Sequence, residues 1–252
     1  MEEQFVAPET LPPPTSFFTR FSNVFASPGE LFAEVAVQPV QLSSWLIPLF
    51  LSILLMVGTT MLIFSNDSLR TQALEKQREA IQKMINEGKI TQEQADKQLQ
   101  MMEGSKLMLV FAGAAALGMS LIVFFAIPLI VWLAAMMMLK YHGGYFKIVE
   151  AYGLTVFVSF LGGIVTIMLM NIFQSIYASP GGWLLLAQSY DSKNSVHTLI
   201  SAVNIFYLWQ VALIGIGLSR LTGKPAGAGM GVAFGLWAVV VLVIVAIGAI
   251  FR

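Results

Sequence analysis

Catalysis needs a nucleophile, a proton-transfer pair or a set of metal ligands, and this chain is short of all three. Its 252 residues include no Cys and only two His, His142 and His197. Without Cys there is no thiolate chemistry, disulfide, iron–sulfur cluster or Cys-based zinc site, and two isolated His are too few for a histidine metal centre. No phosphate-cradling Gly-rich loop, H-E-x-x-H or G-x-S-x-G occurs. One acid–base arrangement can be assembled, from Glu150 with His142 and His197, but the topology inferred below puts the two His on opposite membrane faces. The expectation is a chain with no catalytic, cofactor-binding or metal-binding residues, hence not an enzyme.

The polar groups that remain of interest are neutral and sit in apolar surroundings. They are Asn171 and Gln174 in one stretch and Asn204 and Gln210 in another, with Ser120, Thr155, Ser159 and Thr166. Ionisable groups at mid-membrane depth mark proton relays and coupled transport, and none falls inside these stretches. Amides in hydrocarbon must find partners. Their commonest use is interhelical hydrogen bonding worth roughly 0.6–2 kcal/mol each, with the lining of a midplane cavity as the alternative. Pro128 removes a backbone hydrogen bond inside an apolar run and is the place for a kink, either a bend tolerated by packing or a broken helix beside a site. Gly227, Gly231 and Gly235 form a G-x-x-x-G-x-x-x-G row on one helix face. That spacing allows close backbone approach, to a neighbouring helix or to a second copy in a homo-oligomer.

The elements that position these residues follow from composition. The chain is 57% hydrophobic and 11% charged, with mean hydropathy +0.76, whereas soluble domains carry about 25% charged residues. Stretches 35–66, 107–139, 151–190, 198–219 and 225–251 contain no Asp, Glu, Lys, Arg or His, and each exceeds the roughly 18–20 residues needed to cross a bilayer. The predicted fold is an all-α integral membrane protein with five transmembrane helices at about 44–64, 107–139, 151–177, 198–219 and 228–251. Residues 1–15, rich in Pro, read as a disordered tail. Residues 16–38 hold two short amphipathic helices: Phe17, Phe18, Phe21, Val24 and Phe25 recur at helical spacing, and Ser27-Pro28-Gly29-Glu30 is a capping box. They form either an interfacial elbow in the headgroup layer or a terminus packed on the bundle. Residues 39–252 are the membrane domain.

Inserted in that domain is a water-soluble piece. Between spans one and two, residues 68–105 surround Leu74, Ile81, Met84 and Ile85 with interleaved acids and bases. Gly88 ends one helix, Thr91-Gln92-Glu93-Gln94 opens a second carrying Ala95, Leu99 and Met102, and Glu93 with Lys97 is a favourable i,i+4 pair. This is a charged helical hairpin with coiled-coil character.

Loops after the even-numbered spans hold Lys140, Lys147, Arg220 and Lys224, against Lys193 alone after span three. The positive-inside rule then puts the N-terminus in the cytoplasm and the hairpin and C-terminus outside it. The first 34 residues, with Arg20 against five Glu, lack the regions of a cleavable signal, so span one is expected to remain. Fourteen Lys and Arg balance fourteen Asp and Glu, which leaves no basic face for nucleic acid. Expected partners are membrane lipids and proteins bound through hairpin 68–105 or the N-terminal region.

Several of these residues together resemble the Yip-domain family of five-span membrane proteins. Phe21-Ser22-Asn23-Val24-Phe25-Ala26-Ser27-Pro28-Gly29-Glu30-Leu31-Phe32 is similar to the motif before the first span in its bacterial branch. Gly143-Gly144-Tyr145-Phe146 with Ala151-Tyr152 resembles the signature between spans two and three. The resemblance covers residues 17–250 and implies a five-span fold whose bacterial members are largely without assigned activity; the function expected on our own reading is a non-enzymatic scaffold or membrane-organising, trafficking-type protein of a bacterial inner membrane. The D-L-Y-G-P signature of the eukaryotic branch is absent, so contact with GTPases is not implied. The alternative reading is a channel or transporter for a neutral or hydrophobic solute, with Pro128, Asn171, Asn204 and Gln210 around a midplane cavity.

Overall fold

The computed structural model describes the backbone of residues 13–103 and 105–250, and side chains within these except 101–109 and 248–250. Most of the expected Pro-rich tail, residues 1–12, therefore lies outside the described residues. Two short helices open the fold, α1 (Phe17–Ala26) and α2 (Pro28–Val37). Ser16 caps α1 by accepting from the Thr19 N–H, and Pro28 opens α2 where its missing N–H costs nothing. The first long helix is α3 (Ser43–Ser65), followed by α4 (Asp67–Asn86), α5 (Gln92–Glu103) and α6 (Ser105–Leu139). After a five-residue connection comes α7 (Tyr145–Phe173), then a 3-10 turn at Gly182–Leu185 and the short α8 (Ser195–Ala202). The fold closes with α9 (Ile205–Thr222) and α10 (Ala226–Ile250).

Among the described residues five helices are long and apolar enough to cross a membrane: α3, α6 from Val110, α7, α9 and α10 to Ile247. The protein is an all-α multi-pass membrane protein, and its outward apolar side chains, such as Ile172 at 69% exposure, meet lipid. Two spans differ from the expected bounds. The third starts at Tyr145 rather than at 151, because the Glu150 charge is neutralised inside the bundle and does not bar the helix from running through it. The fourth starts at Ile205 rather than at 198. Asn204 caps α9 by accepting from the Phe206 and Tyr207 N–H groups, while the Val203 carbonyl accepts from the Gly182 N–H at 2.9 Å. These three bonds break the helix between α8 and α9.

α7 is the central element. Its Ala151, Leu154, Phe157 and Val158 form one core with Val24 of α1, Leu31, Phe32 and Val35 of α2, and Leu213 of α9. Phe17 and Phe21 meet the Phe157 ring edge-on. The N-terminal helices are thus packed on the bundle, although Phe18 still faces outward at 79% exposure. A second core joins Val131, Ala135 and Leu139 of α6 to Ile148, Leu218 and Val232.

The chain sorts into two ends. One holds α1, α2 and the connections 140–144 and 223–225; the other holds the α4–α5 hairpin and the segment 174–204. Close helix contacts use glycine where lipid provides no drive and contact area must do the work. A Cβ at Gly153 would lie 2.7 Å from the Ser44 carbonyl oxygen and 2.8 Å from Trp45 Cα. Both are backbone atoms of α3 and cannot swing aside.

Gly153→Ala must therefore separate α3 from α7, at a cost of about 1–3 kcal/mol. Gly231, with nothing within 4 Å of an added Cβ, is the matched control. Thermal unfolding in detergent should show a lower Tm for Gly153→Ala and no change for Gly231→Ala; equal values would contradict the close approach.

Candidate functional site

Arg20 sits in the apolar stripe of α1, between Phe17 and Val24, and is fully buried. A buried guanidinium without partners is prohibitively costly, so everything around it must answer its five donors. Its Nη2 and Nε donate to Glu34 Oε1 at 2.8 and 3.1 Å, which ties α1 to α2. Nη1 donates to Glu150 Oε1 of α7 at 2.9 Å and to Ser44 Oγ of α3 at 3.1 Å. Glu150 is also fully buried. Its Oε1 accepts from the Gln41 N–H at 3.0 Å and its Oε2 from Lys147 Nζ at 2.6 Å, while Lys147 Nζ also donates to the Gln38 carbonyl at 2.8 Å.

Two cations and two carboxylates thus form a neutral cluster spanning α1, α2, the α2–α3 connection, α3 and α7. Glu150 lies five residues past the start of α7, about 7.5 Å along its axis. Glu34 closes the outer side: Thr15 donates to it from its N–H at 3.0 Å and from its hydroxyl at 2.7 Å. Burial raises the Glu34 pKa, but the hydrogen bonds from Thr15 and Arg20 outweigh it and hold the carboxyl below its ordinary 4.5.

The residues singled out from the sequence do not converge. Asn171 bonds back to the Ile167 carbonyl of its own helix at 3.0 Å. Gln174 is the left-handed C-cap of α7 (φ 48°), and Asn204 is the N-cap of α9. Both amides therefore end helices rather than sit inside spans as expected, because each satisfies backbone groups that a helix terminus leaves open. Gln210 alone reaches another span, donating to Thr155 Oγ1 at 3.3 Å. Pro128 is buried in the continuous α6, and three residues earlier the Phe125 carbonyl accepts from Tyr145 OH at 2.7 Å.

Gly227, Gly231 and Gly235 are exposed, and a Cβ added at any of them would meet no neighbouring element within 4 Å. The α9–α10 contact instead uses Gly215 and Gly229, where added Cβ atoms would strike Met230 and the Gly215 carbonyl. His142 lies at the α1–α2 end. His197 lies at the hairpin end, accepting at Nδ1 from the Asp191 N–H at 3.0 Å. Among the described residues no group of three or more His, Asp or Glu is placed to hold a metal.

The cluster is not visible in the sequence because Arg20 and Glu150 are 130 residues apart. The available signal was an Arg on the apolar face of an amphipathic helix. Such a residue demands a buried acid, and Glu34 and Glu150 each stand directly before an uncharged run.

A family model described as the Yip1 domain matches residues 22–247. No curated protein and no solved structure gives a significant match.

Removing one member of a buried pair leaves the other charged and uncompensated. Arg20→Met is expected to cost about 3–5 kcal/mol, and adding Glu150→Leu should restore more than half of that. A double-mutant cycle on thermal unfolding in detergent reads this directly; additive losses would contradict it. The Glu34 carboxyl titrates lower when folded, so its contribution is present above the ordinary carboxylate value and lost as pH falls through the folded-state value. Stability should hold from pH 7 to about pH 5 and fall below it, with Glu34→Gln removing part of that acid limb.

Proposed function

The chain belongs to the Yip1 domain family, and on that footing we propose that it is a non-enzymatic membrane-organising protein whose partners bind the α4–α5 hairpin. The observation that carries this reading is where the charges are used. At the α1–α2 end Arg20, Glu34, Lys147 and Glu150 are consumed in holding the bundle together. On the hairpin, Glu75 to Ala80 and Gln92 to Gln94 are exposed, as are Asp96 and Lys97.

The hairpin is a built element. Asn66 caps α4 by accepting from the Ser68 and Leu69 N–H groups. Thr91 and Gln94 form the reciprocal bonds of a capping box, at 3.0 and 3.3 Å. Gly88, at φ 68°, makes the turn, and each helix buries an apolar residue, Ile81 in α4 and Ala95 in α5. Its base is fastened to the segment after α7: Gln72 donates to the Gln174 carbonyl at 2.7 Å and accepts from the Ile176 N–H at 3.2 Å. Further out, Lys193 meets Glu79 at 3.0 Å and Lys76 lies over the Tyr177 ring.

Exposed ion pairs such as Glu93 with Lys97 contribute only about 0–1 kcal/mol to a fold. So dense a charged surface does little for stability, and its exposure suits it to recognising another protein. The Lys and Arg of the short connections favour a cytoplasmic N-terminus in a cell membrane, which places the hairpin on the opposite face.

Crosslinking in native membranes followed by mass spectrometry, on the intact chain and on one lacking residues 70–104, tests the reading. Defined partner crosslinks should disappear with the hairpin while the Tm of the bundle is kept. Self-crosslinks alone, unchanged by the deletion, would overturn it.

A further inference from the structure

Beside the buried cluster, at the α1–α2 end, lies an open groove of about 720 Å³. Its walls are the α2–α3 connection at Pro39 and Val40, the stretch 140–147, and the end of α9 at Leu221 and Thr222. No Asp or Glu lines it, while Lys140, His142 and Lys147 do. The nearby Glu150 is already saturated by Arg20, Lys147 and the Gln41 N–H. Lys147 is committed to that cluster, but Lys140 and His142 are exposed and make no hydrogen bond or ion pair among the described residues.

Between them sits Tyr141, only 7% exposed. Its hydroxyl lies against Gly143 at the groove wall and bonds to no protein atom among the described residues. The residue is nearly buried, yet its hydroxyl is not among the fully enclosed polar atoms, so it is a donor open to a ligand in the groove. Burial holds this phenol above its ordinary value, so it keeps its proton. The groove floor adds the uncapped start of α7, where Gly144 offers no side chain to the first-turn N–H groups.

We propose that this groove binds the phosphate of an anionic phospholipid headgroup, held by Lys140, His142 and the Tyr141 hydroxyl. A membrane lipid, rather than a soluble phosphate, is indicated by the rim. Phe146 in the lining and Met137 and Met138, in the last turn of α6 just before Lys140, are 52%, 83% and 66% exposed, the pattern expected where a span leaves hydrocarbon for the headgroup layer. Lys140 is also in the left-handed region (φ 56°), where it lets the Tyr141 N–H reach back to the Ala135 carbonyl at 3.1 Å and end α6. Glycine is the usual residue at such a helix end. A lysine there gives up backbone ease for a charge at the groove.

That substitution pattern supplies a variant that folds. Purified full-length protein in detergent is titrated with phosphatidylglycerol and, for comparison, acyl-matched phosphatidylcholine, with bound lipid counted by native mass spectrometry. Phosphatidylglycerol should bind about tenfold more tightly, and Lys140→Gly with His142→Gln should abolish that preference without lowering Tm. Tyr141→Phe, which removes one hydroxyl, should weaken phosphatidylglycerol severalfold. Lys224→Gln, on the same end but outside the groove, should change nothing. Equal affinity for the two lipids, indifference to the groove variants, or an equal loss in Lys224→Gln would overturn the proposal. Displacement of phosphatidylglycerol by millimolar inorganic phosphate that itself binds would assign the groove to a soluble anion and overturn the lipid.

Discussion

A charge cannot be left alone in an apolar interior, and Arg20 makes that rule the organiser of this protein. The guanidinium is on a helix of ten residues that has no claim to stability by itself. What holds the helix is the need to bring Glu34, Ser44 and Glu150 to its donors, and the aromatic contacts on Phe157 follow from that placement. Once the cluster is assembled, α1 and α2 are fixed on α7, and the α2–α3 connection is fixed by the Gln41 N–H and the Gln38 carbonyl. Ion pairs of this kind are poor sources of net stability compared with apolar packing but severe in their demand for one arrangement.

The same economy explains the division between the two ends. Polar groups near the α1–α2 end are buried and mutually satisfied, leaving a groove whose unanswered groups are donors. At the other end the polar groups are in water and gathered on a projecting hairpin. Between them, the spans meet through glycine contacts that transmit position rather than charge: Gly153 against Ser44 and Trp45, Gly215 and Gly229 where α9 meets α10.

The five spans and the hairpin were legible because uncharged runs longer than a bilayer and capping boxes are local signals. The membrane class and the Yip1 family were likewise within reach of the sequence. Interruptions such as Val203-Asn204 were not, since a capping Asn and an intramembrane Asn are the same letter in an apolar run, and only the Gly182–Val203 bond separates them. Nor was the reach of α7 back to Tyr145, because a charged residue in the sequence reads as a boundary until its counter-charge is known. Long-range pairing is the part that a linear reading loses. The partners of Glu150 lie in three different stretches of chain, and nothing in their spacing announces the meeting.

The 130-residue separation of Arg20 and Glu150 also bears on how the chain is made. The pair can close only if both residues are left on one side of the bilayer, so the intervening chain must cross it an even number of times, here through α3 and α6. Synthesis at 5–20 residues per second separates the emergence of the two residues by roughly ten seconds. Throughout that interval Arg20 waits with its eventual partner unmade. A chain inserted with the wrong number of crossings strands an arginine and a glutamate on opposite faces. The ion pair can therefore form only in a chain whose intervening segments cross the membrane with the right parity.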